Sequence, residues 1–254
     1  MTVVGVLNPG EMGAAVAAAL RRHGETVLWA STGRSPATAE RAERAGLEAA
    51  GDVADLCRRS EVLLSVCPPH AALDVARSAA GFDGIYVDAN AIAPETARTI
   101  ASLHERFVDG GIVGPPQLEP GTTRLYLSGG EAESVAGLFA GTSVDARVIS
   151  EEPGAASALK AAYAGWTKGS GALLLTVREL ARAEGVEAAL LDEWRLSIPE
   201  LEQRIAGAER SARRKGWRWT GEMEEIARSM DAQDLPTGFH EAAAEVFRRT
   251  AEEK

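Results

Sequence analysis

The chain has 254 residues, 45% of them hydrophobic and 25% charged, which suits a soluble globular protein of one large or two modest domains. A formal net charge of −10 argues against a nucleic-acid partner, and no apolar stretch is long enough to span a bilayer. Cys57 and Cys67 do not make a metal spacing, and no signal-peptide pattern precedes the first strand, so a reduced, cytoplasmic protein is expected.

The β-branched apolar run Val3, Val4, Val6 predicts a strand over 2–7. Leu7, Asn8, Pro9, Gly10, Glu11 and Met12 follow as a turn, and Gly10 and Gly13 open an alanine-rich helix that stops near His23-Gly24. A strand, a tight glycine turn and a helix N-terminus make a dinucleotide site. Glycines let the backbone approach a pyrophosphate, and the first helical N–H groups bind it. Further strands are predicted at 26–30, 61–66, 84–88, 106–108, 124–128 and 145–149, with helical patterns between them. Ser35-Pro36 is an N-cap with proline at the first helical position, Gly46 stops that helix, and Pro68-Pro69 and Ala93-Pro94-Glu95 open two more. This βαβ alternation predicts an α/β, Rossmann-type, mostly parallel sheet with helices on both faces.

After Pro153 the strand signal stops. Leu159, Tyr163, Trp166, Ser170, Leu173, Val177 and Leu180 recur at helical spacing and predict one long helix over 154–184, followed by helices at 187–196, 199–214, 220–232 and 238–252. The expected domains are therefore a nucleotide-binding domain, 1–152, and an all-helical domain, 153–254, which the long helix joins. The basic cluster Arg210, Arg213, Arg214, Lys215 and Arg218 lies among acids and reads as a solvated helix face.

The end of the second strand indicates which cofactor is expected. An NAD site usually places Asp or Glu there for the ribose 2′-hydroxyl. Here the segment Trp29-Ala30-Ser31-Thr32-Gly33-Arg34 has no acid. The Ser31 and Thr32 hydroxyls and the Arg34 guanidinium suit a 2′-phosphate, which favours NADP over NAD. In such sheets ligands lie beyond the carboxyl ends of the strands, which brings in Cys67, Pro68 and Asn90, the last with an amide able to hold a ribose or nicotinamide group.

Four segments together resemble the β-hydroxyacid dehydrogenase superfamily, which includes 6-phosphogluconate and 3-hydroxyisobutyrate dehydrogenases, and most of all its bacterial branch with a short helical C-terminal domain of unassigned function. Gly5 to Gly13 resembles the family's glycine turn, and Val87-Asp-Ala-Asn-Ala-Ile-Ala-Pro94 the strand and loop before its nicotinamide pocket. Phe107-Val-Asp-Gly-Gly-Ile-Val-Gly114 resembles its substrate segment, and Gly154-Ala-Ala-Ser-Ala-Leu-Lys160 the helix that carries its catalytic lysine. The resemblance implies hydride transfer between NADP(H) and a small-molecule hydroxy or keto acid, with Lys160 relaying the proton, and a homodimer formed through the C-terminal helices. The same fold also serves imine reduction, and a non-catalytic NADP-binding sensor is a further reading.

Some residues depart from the family pattern. Asn8 replaces a glycine of the turn, Val113 replaces a serine that binds substrate, and Ala164 replaces the asparagine four residues after the lysine. The expected substrate contacts are Val113, Gly114, Tyr163, Ala164 and Trp219, in a pocket more apolar than a sugar-acid site. Trp217 and Trp219 lie two apart on a helix, so only one of them is expected to face a ligand.

Overall fold

Valines 3, 4 and 6 form the strand β1 (Val3–Val6), and the chain then alternates as its pattern predicts. The elements that follow are α1 (Glu11–His23), β2 (Thr26–Trp29), α2 (Pro36–Arg44), β3 (Glu48–Ala49), α3 (Val53–Arg59), β4 (Val62–Ser65), α4 (Ala72–Ser78), β5 (Ile85–Asp88), α5 (Pro94–Ala101), β6 (Phe107–Val113), β7 (Thr123–Ser128), α6 (Ala132–Leu138) and β8 (Val144–Ser150). Four helices complete the chain: α7 (Ala155–Ala183), α8 (Glu187–Ser197), α9 (Leu201–Asp231) and α10 (Gly238–Glu252). This computed structural model describes residues 1–116 and 119–252, so the last two residues of the expected second domain lie outside the described residues. Contacts divide the chain into two units, Met1–Lys160 and Ala161–Lys254.

In the first unit the eight strands run in the order β3-β2-β1-β4-β5-β6-β7-β8. The pairings are parallel except between β6 and β7. Alternation along the strands feeds two separate cores. Val62, Leu64 and Val87 point to one face, where they meet Val16, Ala17 and Leu20 of α1 and Val135 of α6. Leu63 and Tyr86 point to the other, against Leu56 of α3, Ala76 of α4 and Ile100 of α5. Apolar residues on both faces make the central strands β1, β4 and β5 read as near-continuous hydrophobic runs, as expected of a buried parallel sheet.

Local sequence sets the helix ends. Ser35 caps α2 by accepting from Thr38 N, with Pro36 at the first helical position, and Asp52 caps α3 through Asp55 N at 2.8 Å. Gly24 ends α1 in the left-handed region, at φ 111°, and its N–H returns to Arg21 O.

In the second unit Met223, Ile226, Ala243, Ala244 and Phe247 form the core with Ala164, Ala172 and Ala212. Arg178 of α7 pairs with Glu187 of α8 at 2.7 Å and also with Glu209 of α9, clasping three helices.

Three boundaries differ from the sequence reading. β6 runs to Val113 rather than stopping at 108, because Gly110 and Gly111 continue the ladder with β7 instead of breaking it. The two helices expected at 199–214 and 220–232 are one helix, α9. Gly216 does not break it but makes room for α10, since a Cβ there would lie 3.0 Å from Phe247 O. The two-residue β3 is too short to leave a periodic signal.

Candidate functional site

The strand order 3-2-1-4-5-6 reverses direction between β1 and β4, and a doubly wound sheet opens its ligand crevice at such a point, at the carboxyl ends of the strands. The sequence-predicted residues of the first unit gather along that edge.

The first group is the turn Leu7–Gly10 after β1. Gly10 caps α1 without a side-chain hydrogen bond, and among the described residues no side-chain cap is seen on the first turn. A Cβ on Gly10 would meet nothing within 4 Å, whereas one on Gly13 would lie 2.6 Å from Asn8 O. Gly13 thus permits the helix to sit on the turn, and Gly10 leaves open space in front of it. Asn8 takes the place of the family's glycine, and its side-chain oxygen Oδ1 is buried with no partner.

Two arginines brace this turn from α2 and the loop before it. Arg34 donates from Nη2 to Leu7 O at 2.9 Å and from Nε to Ala30 O at 3.3 Å, and Arg41 donates from Nη1 to Pro9 O at 3.1 Å. Arg34 is therefore a half-buried fork tied to the turn and not a solvated loop charge. Arg41 was not singled out from the sequence, although its place in the last turn of a helix seven residues after Arg34 was available as a signal. Ser31 Oγ donates to Gly51 O at 3.4 Å, and Thr32 is exposed.

The second group lies where β4 and β5 end. Asn90 is buried and receives Cys67 N on its Oδ1 at 2.5 Å, while its Nδ2 donates to Ser65 Oγ at 3.1 Å and to Asp88 Oδ2 at 2.9 Å. Both amide hydrogens of Asn90 are thus committed inside the protein, and only Oδ1 has a lone pair to spare. The Asn90 amide clasps the two strand ends and fixes Cys67, whose side chain is buried, just before Pro68. Asp88 itself is fully buried. Loss of hydration pushes its carboxyl up to about 7, Asp109 on the neighbouring strand adds to the rise, and the hydrogen bonds from Asn90 oppose it.

The third group is carried by β6 and the first turns of α7. Lys160 is half-buried, and its Nζ donates to Ile112 O at 2.7 Å. Gly111 makes this approach possible, because a Cβ there would lie 2.8 Å from Ala156 O and 3.1 Å from Lys160 Cβ. Val113 is buried at the end of β6, and Gly114 follows at φ 134° with Thr122 O in the place of any Cβ.

The remaining predicted residues belong to the second unit. Tyr163 is 48% exposed, whereas Ala164 is buried in the helical core. Trp217 is exposed. Trp219 meets Phe247 edge-on at 5.1 Å, with Lys168 Nζ 5.3 Å from its ring. Trp219 also walls a cleft of about 230 Å³ that Lys168, Arg204, Ser170 and Ser211 help to line. Glu222 is buried and pairs with Lys168 and Arg218.

The doubly wound sheet and the glycine turn that opens α1 make a Rossmann-type fold. Residues 3–91 match the family described as NADP oxidoreductase, coenzyme F420-dependent, and residues 181–250 match Domain of unknown function (DUF1932). An uncharacterized 28.5 kDa protein encoded in the 7S RNA 5′ region of Methanothermus fervidus is 30% identical over 191 residues, which cover 72% of this chain and 74% of that one. A conserved protein of unknown function, whose structure reveals similarity with 3-hydroxyacid dehydrogenases, is 30% identical and superposes with a TM-score of 0.74 over 98% of this chain and 97% of its own. The fold is shared more distantly with Mycobacterium tuberculosis 3-hydroxyisobutyrate dehydrogenase, at 16% identity and TM-score 0.72 over 100% of this chain and 94% of that one. It is also shared with the Aspergillus terreus reductive aminase solved with NADPH, at 21% identity and TM-score 0.62 over the same shares. The chain belongs to the β-hydroxyacid dehydrogenase-like family, with a C-terminal helical domain.

Proposed function

We propose that the protein is an NADP(H)-dependent oxidoreductase that interconverts a small hydroxy acid and its keto form. One observation carries this reading: the amine of Lys160 is held 2.7 Å from Ile112 O at the same sheet edge that ends in the uncapped glycine turn. The turn suits a dinucleotide phosphate. Open space faces Gly10, and among the described residues no side-chain cap is seen on the first turn of α1. Arg34 and Arg41 suit a 2′-phosphate, since each spends only part of its five-donor fork on the turn and no acid stands at the end of β2. When bound, NADP(H) supplies or accepts the hydride.

The chain's own contribution is binding, orientation and proton transfer. Lys160 delivers a proton to the substrate oxygen in reduction and withdraws it in oxidation. Asn90 holds the β4 and β5 ends together so that the Cys67-Pro68 corner keeps its shape against the cofactor. Val113 offers no hydroxyl to substrate, and a sugar phosphate left without partners would cost several kcal/mol to bury. The preferred substrate is therefore less polar than 6-phosphogluconate.

We read the second unit as the dimerisation domain. Tyr163, Trp166, Leu173 and Leu180 stand exposed along α7, and Phe239 of α10 is 77% exposed. Trp166, Leu173 and Phe239 border a mainly apolar groove of about 660 Å³ that suits a second copy of the chain.

The test of the reaction is NADPH consumption over a panel of keto acids and imines, and NADP+ reduction over a panel of hydroxy acids. Turnover of a small keto acid supports the reading. Turnover confined to imines reassigns the chain to imine reduction, and binding of NADPH with no turnover at all favours a sensor.

A further inference from the structure

Asp109 lies in the middle of β6, fully buried, one strand away from the Asn90 clasp. Its carboxylate accepts four hydrogen bonds. Oδ2 takes Gly154 N at 3.0 Å, Ser157 N at 2.9 Å and Ser128 Oγ at 3.1 Å, and Oδ1 takes Ser157 Oγ at 2.6 Å. Ser128 in turn receives Ala156 N at 3.0 Å. Gly154, Ala156 and Ser157 are the residues at which α7 begins, so a buried carboxylate and a hydroxyl from the sheet serve the N–H groups that every helix start leaves over. The negative charge also complements the positive end of this long helix.

The same strand holds the helix at two more places. Gly111 receives the first turn at backbone contact, and Ile112 O receives the amine of Lys160. Lys160 lies three residues after Ser157, less than one turn further along α7. Rotation or fraying of the first turn would carry its amine away from Ile112 O, because three residues of helix transmit any such movement directly.

We propose that Asp109 is a positioning residue that acts through Lys160: by capping α7 from within the sheet, it sets the rotation and depth of the turn that presents the amine. This extends the reading of Lys160 as the proton relay and rests on it for its catalytic meaning. Ser157 and Ser128 complete the device, the first by joining both carboxylate oxygens to the helix and the second by bridging carboxylate and helix. Ser65, Asp88 and Asn90 form a separate cluster around the ends of β4 and β5, so the sheet edge carries two buried carboxylates with different tasks.

The test uses the full chain and needs no substrate. The sequence has only four lysines, at 160, 168, 215 and 254. Trace acetylation with acetic anhydride, read by peptide mass spectrometry, therefore reports the accessibility of Lys160 beside built-in references. In Asp109→Ala the labelling rate of Lys160 should rise about tenfold while those of Lys168 and Lys215 stay constant. Asp109→Asn, which keeps an acceptor for Gly154 and Ser157, should restore most of the protection, and Ser157→Ala should give a smaller rise than Asp109→Ala. An unchanged Lys160 rate, or an equal rise at every lysine, overturns the proposal. If Asp109→Ala does not fold, Ser157→Ala and Ser128→Ala decide the matter by the same criterion. The relay itself is tested by turnover of Lys160→Ala, so labelling and turnover fail independently.

Discussion

Asp88 offers a prediction whose size follows from its surroundings. It is fully buried at the end of β5, and burial, assisted by Asp109, pushes its carboxyl from 3.8 up to about 7. The folded protein therefore holds a proton on Asp88 over a range in which the unfolded chain has released it. Its stabilising contribution is complete below 3.8 and is lost as pH rises through about 7. With these two values, linkage gives a loss of roughly 2 kcal/mol between pH 5 and pH 7. His104 acts in the opposite direction in that window, because burial lowers its pKa and costs stability on the acid side. The informative quantity is thus the difference between wild type and Asp88→Asn, in which His104 cancels. Asn cannot titrate, and its amide faces the Asn90 amide, so the variant bears a roughly constant cost of about 1–3 kcal/mol. Urea unfolding at half-unit pH steps measures both proteins. The wild type should lose about 2 kcal/mol more than the variant between pH 5 and pH 7. Parallel curves would refute the claim that Asp88 takes up a proton on folding.

Other consequences follow from the same geometry. Arg34→Ala should weaken NADPH binding by about 1.5–3 kcal/mol and leave NADH almost unchanged, with Arg41→Ala showing the same preference; calorimetric titration of both cofactors checks this. Gly111→Ala puts a methyl against Ala156 O, so it should cost about 1–3 kcal/mol in urea unfolding and raise Lys160 labelling. Light scattering at micromolar concentration should give the mass of a dimer, and Trp166→Glu on the exposed stripe should give that of a monomer.

Much of the first unit was legible because its physics is local. Val3-Val4, Val62-Leu63-Leu64 and Ile85-Tyr86-Val87 are apolar on both faces, and Ser35-Pro36 and Gly24 mark helix ends by cap chemistry alone. Gly110-Gly111 was misleading because a glycine pair reads as a strand breaker, whereas here Gly111 makes way for a helix distant in sequence. The same holds at Gly216, whose neighbour is Phe247 of α10. Lys160 stood out through its motif, but its acceptor, Ile112 O, is a backbone atom and has no sequence signature. Asn90 was visible as a polar amide at a strand end, but its partners Ser65 and Asp88, which take both amide hydrogens, lie on two different strands and left no signal. Asp109 lay within a recognised segment without a role, because Gly154 and Ser157, which define that role, are 45 and 48 residues away.

The central claim is that Lys160 moves the proton in an NADP(H)-linked reduction, and turnover of Lys160→Ala tests it most directly. NADPH affinity and substrate-dependent NADPH consumption should be measured on the same preparations of wild type and variant. The account predicts NADPH binding within about twofold of wild type and a rate at least about 100-fold lower. A variant that binds NADPH and reduces the substrate at the wild-type rate would contradict it.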